Sequence, residues 1–489
     1  MVEKDELHEL ISKLSRSEKR YFKLFCAQHV IGEQNNYMRL YDYLAGQKHF
    51  DRKKLEKKFK QEKWFKNYSR TRNYLFDLVM RALRSYNAGK DLKDQIYEKI
   101  QNAKILHDKG MLDQAYKLVV KIKTQCYELE EFNLLLELLE FQRILNWEMH
   151  RGNDNVNDER AEVLQKLINI TEFFNIYQQF LKIIMKSDNW VDDEELQKAK
   201  ELIQNPLLQD EDRALSINAK LNFNSTQALY HHLIKKYDQC VINVSRVAEL
   251  YDQNPAFKKA NVKNYFWVLG NLITMCYHAY DKEAFNRTVD RLFKAHEELP
   301  GEELLKFEQQ ASTRVLRCKV NRDFEHFDQE VATIMEEFPN YQDTISLIKE
   351  TDLYFNILAI YFELERYDQA QDWLVRILNH KRIQEREYLY IYTRSLELLI
   401  LAELQHFRLL ASRADAFYKY LHKREKMGSF QQAVYRFVKE LIRHRDKIEL
   451  KAAYAGFERA LREIEPEEYR KIANDTVDYL EWLSNKKTA

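Results

Sequence analysis

The chain has 489 residues, with only nine glycines and five prolines, and its formal net charge is +1. Sheet-rich folds, dinucleotide-binding folds and large α/β enzymes need many glycine-containing turns, so this composition argues against all three. Hydrophobic residues make up 45% of the chain and charged residues 32%, which is typical of a globular protein. We therefore predict an all-α protein whose long helices are joined by short connections.

The charge is unevenly distributed along the chain. Residues 1–90 contain 21 Lys and Arg against 11 Asp and Glu, whereas the remainder contains 57 against 66. This asymmetry predicts a basic N-terminal helical domain, residues 1–90, followed by an acidic body.

Helix signals occur in order through the basic part. Ser15 and Glu18 have the spacing of a capping box, which predicts a helix start. Asp51 is expected to cap a second, basic helix. Apolar residues at alternating spacings of three and four predict an amphipathic helix over residues 71–86, and residues 87–89 carry helix-stop chemistry.

From residue 91 onward a short pattern recurs. Each copy has a central residue, usually small, that is preceded by an Asp. Apolar residues follow four and seven positions after this central residue. We expect the Asp to cap the second helix of a hairpin and the small residue to allow close helix crossing. The recurrence, about every 42 residues, predicts a helical solenoid. The central residues are Ala115, Cys240, Ala284, Phe327 and Ala370, with weaker copies expected near Ala161, Ala199 and Leu410.

This pattern resembles the tetratricopeptide repeat, a right-handed stack of helix pairs, most closely at Gly110 to Ala115 and Tyr367 to Ala370. The period exceeds that family's 34 residues, which implies longer helices. The resemblance covers roughly residues 95–450 and implies a repeat array over 91–450 with capping helices over 451–489. The segment LSRSEKRYFKLF is also similar to the start of bacterial helical-repeat proteins.

No sequence motif for catalysis is present. Phosphate-binding glycine loops, nucleophile elbows and zinc-protease motifs are all missing. On a helix, His231 and His232 point in different directions, as do Cys276 and His278, so neither pair suits a metal. The acidic run at residues 192–195 is expected to begin a helix. We predict a non-enzymatic protein with no catalytic residue, metal or cofactor.

A basic segment, residues 52–72, holds ten Lys and Arg against two Glu, interleaved with aromatic residues. Three interpretations stay open: the solvated face of an amphipathic helix with core aromatics, a nucleic-acid contact, or a surface for an acidic protein. The candidate nucleic-acid residues are Lys53, Lys54, Lys57, Lys58, Lys60, Lys63, Lys66, Arg70 and Arg72.

The first helices of the repeats carry several Asn residues, although Asn is unfavourable inside helices. In peptide-binding tetratricopeptide proteins, such residues hold the backbone of an extended peptide, and the resemblance implies that role here. The alternative is exposed Asn and ordinary core aromatics. The candidate peptide-binding residues are Asn224, Tyr230, Asn264, Asn271, Asn356 and Tyr361.

Five scattered cysteines predict reduced thiols packed as small apolar residues in a cytoplasmic protein. No signal peptide and no membrane span are expected. The leading hypothesis is a scaffold or adaptor that binds a protein or peptide on the concave face of the array. The alternative is a nucleic-acid-binding regulator, similar in outline to the bacterial pheromone regulators that join a helix-turn-helix to tetratricopeptide repeats.

Overall fold

A computed structural model describes residues 5–28, 36–89, 92–186, 193–342, 344–443 and 447–488. Every regular element in these ranges is a helix, and no strand occurs in them, which confirms the all-α class. The chain forms two compact units, Met1–Ala161 and Glu162–Ala489. The boundary that we predicted near residue 90 lies inside the first unit and stays a prediction.

The helices that begin in the first unit are α1 (Glu6–Lys13), α2 (Arg16–Gln28), α3 (Asn36–Ala45), α4 (Arg52–Phe59), α5 (Tyr68–Asn87), α6 (Leu92–Asp108), α7 (Leu112–Glu128), α8 (Phe132–Glu148) and α9 (Asp154–Lys186). A 3₁₀ turn, Lys63–Asn67, joins α4 to α5.

The second unit continues with α10 (Asp193–Leu202), α11 (Ile217–Leu233), α12 (Tyr237–Gln253), α13 (Pro255–Ala260), α14 (Val262–His278), α15 (Lys282–Glu298), α16 (Glu303–Asn321), α17 (Phe327–Glu337), α18 (Leu347–Glu363), α19 (Tyr367–Leu378), α20 (Glu387–Glu403), α21 (Phe407–Lys423), α22 (Ser429–Arg443), α23 (Lys447–Arg462), α24 (Pro466–Asp475) and α25 (Tyr479–Thr488). Four further 3₁₀ turns lie at Pro206–Gln209, Glu211–Arg213, Phe338–Asn340 and Ile383–Glu385.

The predicted helix starts of the basic part are confirmed. The Ser15 backbone N–H donates to Glu18 Oε2 at 2.8 Å, and the Glu18 N–H donates to Ser15 Oγ at 3.2 Å, which completes the capping box. Asp51 caps α4 by accepting from the Lys54 N–H at 3.0 Å. Helices α1 to α5 enclose one apolar core that includes Leu55, Phe59 and Leu75.

Helices that follow one another in the second unit pack as neighbours. The pairs α11/α12, α14/α15, α16/α17, α18/α19, α20/α21 and α22/α23 are in contact. The second helix of most pairs also contacts the first helix of the next, as α12 does with α14 and α19 with α20. The first helices of these pairs begin at Ile217, Val262, Glu303, Leu347, Glu387 and Ser429.

The apolar stripe that we predicted for the second helices is buried. Ala115, Cys240 and Ala370 are inaccessible to solvent, and the residues four and seven positions after Ala115 and Ala370 are also buried. Small side chains at these positions allow close helix packing, as the sequence pattern predicted.

The capping role predicted for the recurring Asp is wrong at most positions. Asp281 does cap α15, accepting from the Ala284 N–H at 2.8 Å. Asp113, Asp238 and Asp368 instead lie inside the first turn of their helices, one position after the helix start. There they stabilise the helix through its dipole and not through a side-chain cap.

The positions predicted as weaker repeat centres differ in their burial. Ala199 in α10 and Leu410 in α21 are buried, as the pattern requires. Ala161 is exposed on the continuous helix α9, so a repeat centred there is wrong. The acidic run predicted to begin a helix does so at Asp193, while Asp192 lies outside the described residues.

Nine helix ends in the described chain share one turn geometry. In each, a backbone N–H just past the helix end donates to the carbonyl five residues earlier, as Lys236 does to His231 at 2.8 Å. The residue immediately before the donor has a left-handed backbone, with φ between 52° and 73°. This is the Schellman motif, which usually places glycine at the left-handed position. Only Gly110 does so here; the other eight are Glu130, His150, Lys235, Tyr280, Arg322, Glu365, Gln405 and Glu425.

Gln405→Gly is expected to raise the free energy of unfolding by about 0.5–1 kcal/mol, because glycine adopts a left-handed backbone without steric cost. Gln405 is exposed and has a φ of 58°, so little besides the backbone conformation changes. Chemical denaturation measures the effect. Gln405→Val should shift stability the opposite way, and equal stability of the two variants would argue against this turn geometry.

All five cysteines are free and buried. Burial raises the pKa of their thiols, to about 11 for Cys26 and about 12 for Cys126 and Cys240. They therefore pack as small apolar groups, as the sequence predicted. Among the described residues, no helix combines the length and the apolar character that crossing a membrane requires.

Candidate functional site

The predicted Asn residues of α14 lie on one accessible strip. Asn264 and Asn271 are exposed, and Trp267 between them keeps 41% of its surface accessible. Their spacing of three and four residues places all three side chains on the same side of the helix. The Lys349 ammonium lies 5.5 Å from the centre of the Trp267 ring. This strip combines amide hydrogen-bonding groups with an accessible aromatic surface.

The other predicted residues are already occupied within the protein or partly covered. Asn224 is 4% exposed, and its amide donates to the Lys220 carbonyl at 2.9 Å. The buried Tyr361 donates its hydroxyl hydrogen to Asp328 at 2.8 Å. Tyr230 packs edge-on against an aromatic ring of α9, and Asn356 is half-buried in α18. The six candidates therefore do not form one surface.

The nine basic candidates of the first unit differ in their partners. Arg72 forms an ion pair with Asp5 at 2.9 Å, Lys54 lies 3.5 Å from Asp51, and Lys58 lies over the Tyr43 ring. The remaining six are exposed and form no ion pair with any described residue: Lys53, Lys57, Lys60, Lys63, Lys66 and Arg70. Meanwhile Leu55 and Phe59 are buried, as the solvated-face interpretation expects.

The C-terminal segment, residues 466–488, contacts the ends of successive first helices in chain order. The Tyr277 hydroxyl of α14 donates to the Asn474 carbonyl at 3.3 Å, and the Lys319 ammonium of α16 donates to the Thr476 carbonyl at 3.3 Å. Further along, Trp482 packs on Phe362 of α18, and Lys486 pairs with Glu403 at the end of α20. Two of these four contacts use main-chain carbonyls of the segment.

A cavity of about 450 Å³ lies between this segment and the ends of α14, α16 and α18. An ion pair in its wall joins Lys319 to Glu363 at 2.9 Å. Burial alone would lower the pKa of Lys319, but the Glu363 carboxylate and the Tyr277 hydroxyl outweigh it and raise that pKa above its usual value. The Lys319 ammonium therefore stays charged at neutral pH, and its contact with Glu363 fixes the wall of the cavity.

The buried His296 of α15 faces α14 and α16. The His296 Nε2 lies 3.1 Å from Gln309 Oε1, and its Nδ1 lies 3.2 Å from the Gln310 amide nitrogen. Gln309 also donates to the Phe266 carbonyl at 2.7 Å, which orients its oxygen towards the histidine. Nε2 therefore carries the proton of a neutral ring.

Acid is expected to destabilise the protein through His296. Burial lowers its pKa from 6.5 to about 4. Between pH 6.5 and pH 4, His296 is therefore mostly protonated in the unfolded chain and mostly neutral in the folded chain. The free energy of unfolding therefore falls as pH falls, by about 2 kcal/mol between pH 7 and pH 5. His296→Gln should lose that much less over the same range in urea unfolding. His406→Gln, at an exposed histidine, serves as the control and should retain the wild-type loss.

The sequence did not reveal the C-terminal segment as part of a binding surface, since its partners lie far away along the chain. Its three large aromatic residues, Tyr469, Tyr479 and Trp482, were the available signal. Within the described ranges, no three His, Cys, Asp or Glu side chains are grouped as a metal site would need. The arrangement offers hydrogen-bonding groups and aromatic surfaces, which suit binding.

Comparisons with protein-family models, with curated proteins and with solved structures find no match to this chain, so the functional interpretation depends on its own residues.

Proposed function

We propose that this chain is a non-enzymatic, cytoplasmic scaffold or adaptor that binds a protein partner through an extended peptide. In this proposal the helix pairs of the second unit form a tetratricopeptide-like, right-handed array, and the partner lies on its concave face. The spacing of the first helices, 40 to 45 residues from start to start, supports units of about 42 residues.

The observation that carries the proposal is the docking of the C-terminal segment. Four successive first helices each hold this segment near their ends, and α14 and α16 do so through its main-chain carbonyls. Contacts to a main chain do not depend on its side chains, so such surfaces suit polypeptide ligands in general. The strip of Asn264, Trp267 and Asn271 on α14 is the accessible place where a partner's peptide would make similar contacts.

The test begins with peptides selected from a random display library on the immobilised full-length chain. A selected peptide should bind Asn264→Ala/Asn271→Ala about tenfold or more weaker, because each lost amide removes about 1 kcal/mol of hydrogen bonding. The matched control is Asn157→Ala/Asn175→Ala, two exposed Asn of α9. A library that yields no binder, or equal weakening in both double variants, would refute the proposal.

A second candidate is nucleic-acid binding by the first unit, favoured by the six exposed cations that form no ion pair with a described residue. Duplex DNA binding, measured by fluorescence anisotropy, should weaken steeply with salt, since each neutralised phosphate releases about 0.9 counterions. Lys53→Glu/Lys57→Glu/Lys60→Glu should abolish it. Lys109→Glu/Lys117→Glu/Lys121→Glu changes charge equally on exposed positions nearby and should retain it. Equal loss in both would exclude a defined site on α4.

A further inference from the structure

A separate cavity of about 750 Å³ opens where α11 turns into α12, beside the end of α14 and against α24. Four cationic side chains line it, two from the turn and two from α24, with a single carboxylate. These residues are Lys235, Lys236, Arg470, Lys471 and Asp238. Elements more than 200 residues apart in the chain thus bring positive charge to one half-open cavity.

Two of the four cations, Lys236 and Arg470, leave positive charge in this cavity. Lys236 and Arg470 are exposed and form no ion pair with any described residue. Burial lowers the pKa of Lys471, and the nearby Lys235 lowers it further, while Asp475 opposes the shift. Asp475 also accepts a hydrogen bond from the Tyr388 hydroxyl at 3.0 Å, so its charge is shared between Lys471 and that hydroxyl.

The histidines beside the cavity show the same excess of positive charge. Burial lowers the pKa of His278, and Lys471 lowers it further. Burial also lowers the pKa of His231, with Lys236 adding to the effect. Cationic groups that lower one another's pKa lie close together, and an anion between them would stabilise their charged forms.

The start of α12 adds a second source of positive potential. Its N-cap residue, Lys236, offers no side-chain acceptor to the first turn. The backbone N–H of Asp238 has no acceptor among the described residues, and Asp238 is one of the residues that line the cavity. Unpaired N–H groups at the N-terminus of a helix of 17 residues favour anions.

We propose that this cavity binds a small ligand that carries phosphate groups. Its volume falls within the range of about 300–1,000 Å³ that small-molecule sites occupy, and it is too small for a folded partner. Lys and Arg side chains together with helix N–H groups match the oxygens of phosphate. The Tyr237 and His278 rings, stacked with centres 5.1 Å apart, supply an apolar wall for the rest of the ligand. This site is independent of the proposed peptide surface.

The test is isothermal titration of the full-length chain with inorganic pyrophosphate at low ionic strength. The wild type should bind in a saturable, single-site manner. Lys236→Ala/Arg470→Ala should weaken binding about 100-fold, because each removes a charge-assisted hydrogen bond. Both residues are exposed, so the variant should keep the helical circular-dichroism spectrum of the wild type.

Two controls make the result specific. Lys419→Ala/Lys423→Ala removes two exposed cations of α21 in the same unit and should leave pyrophosphate binding unchanged. Citrate, a polycarboxylate, should bind far more weakly than pyrophosphate. The proposal is overturned if the wild type shows no saturable binding, if both double variants weaken binding equally, or if citrate binds as tightly as pyrophosphate.

Discussion

Trp482→Ala is expected to lower the free energy of unfolding of the second unit by about 3–5 kcal/mol, the range for removing a large buried aromatic side chain. Trp482 is 2% exposed, and its ring lies 5.2 Å from that of Phe362. Its indole N–H also donates to the Tyr367 hydroxyl oxygen at 3.0 Å. Alanine would leave a cavity between α25 and the ends of α18 and α19.

Urea denaturation followed by circular dichroism measures this loss. Trp482→Phe keeps an aromatic ring and removes only the indole N–H with part of the volume, so it should cost about 1–2 kcal/mol. Substituting exposed Trp147, in the first unit, by alanine should have little effect. If Trp482→Ala costs no more than Trp147→Ala, the C-terminal segment does not pack as described.

Glu363→Ala is expected to cost about 3 kcal/mol or more, because it leaves the Lys319 ammonium without its counter-charge in a largely enclosed site. The Thr476 carbonyl, at 3.3 Å, and the Tyr277 hydroxyl would remain near that charge. Its pKa, raised in the wild type by Glu363, should fall in the variant. The lowered pKa would show as a loss of unfolding free energy in Glu363→Ala that is larger at neutral pH than at mildly alkaline pH.

A double-mutant cycle separates the ion pair from the packing. Lys319→Met/Glu363→Leu replaces both charges by apolar groups of similar size and should recover most of the stability that Glu363→Ala loses. Lys13→Met/Glu9→Leu, at an exposed ion pair, is the matched control and should change stability little. Strict additivity of the two single substitutions at Lys319 and Glu363 would contradict a coupled ion pair.

Local patterns in the sequence predicted most of the helices. The capping box at Ser15, the Asp51 cap and the buried positions around Ala115 and Ala370 all depend on residues within one or two helical turns of one another. The cap assignment failed at Asp113, Asp238 and Asp368 because the left-handed turn places the start of the next helix one residue earlier than the Asp. The prediction of a repeat centre near Ala161 failed because a small residue on an exposed helical face cannot be distinguished by sequence from one at a helix crossing.

The candidate surfaces were less predictable because they depend on distant parts of the chain. Asn264 and Asn271 proved accessible, whereas Asn224 was buried by neighbouring helices that the sequence pattern does not specify. The cavity that brings Lys236 beside Arg470 requires α24 to return to α12, and no periodicity encodes that return. Hydrophobic spacing predicts which face of a helix is covered, but not by which distant segment.

The late position of the C-terminal segment also affects how the protein is made. Tyr277 meets its partner Asn474 only after 197 further residues have left the ribosome, which at about 5–20 residues per second takes on the order of ten to forty seconds. Until then the C-terminal segment cannot cover the end of α14, nor the ends of α16 and α18 once these helices have been made. Premature termination before Trp482 should therefore release a chain whose helix ends expose apolar surface. Chaperones and proteases recognise such surface.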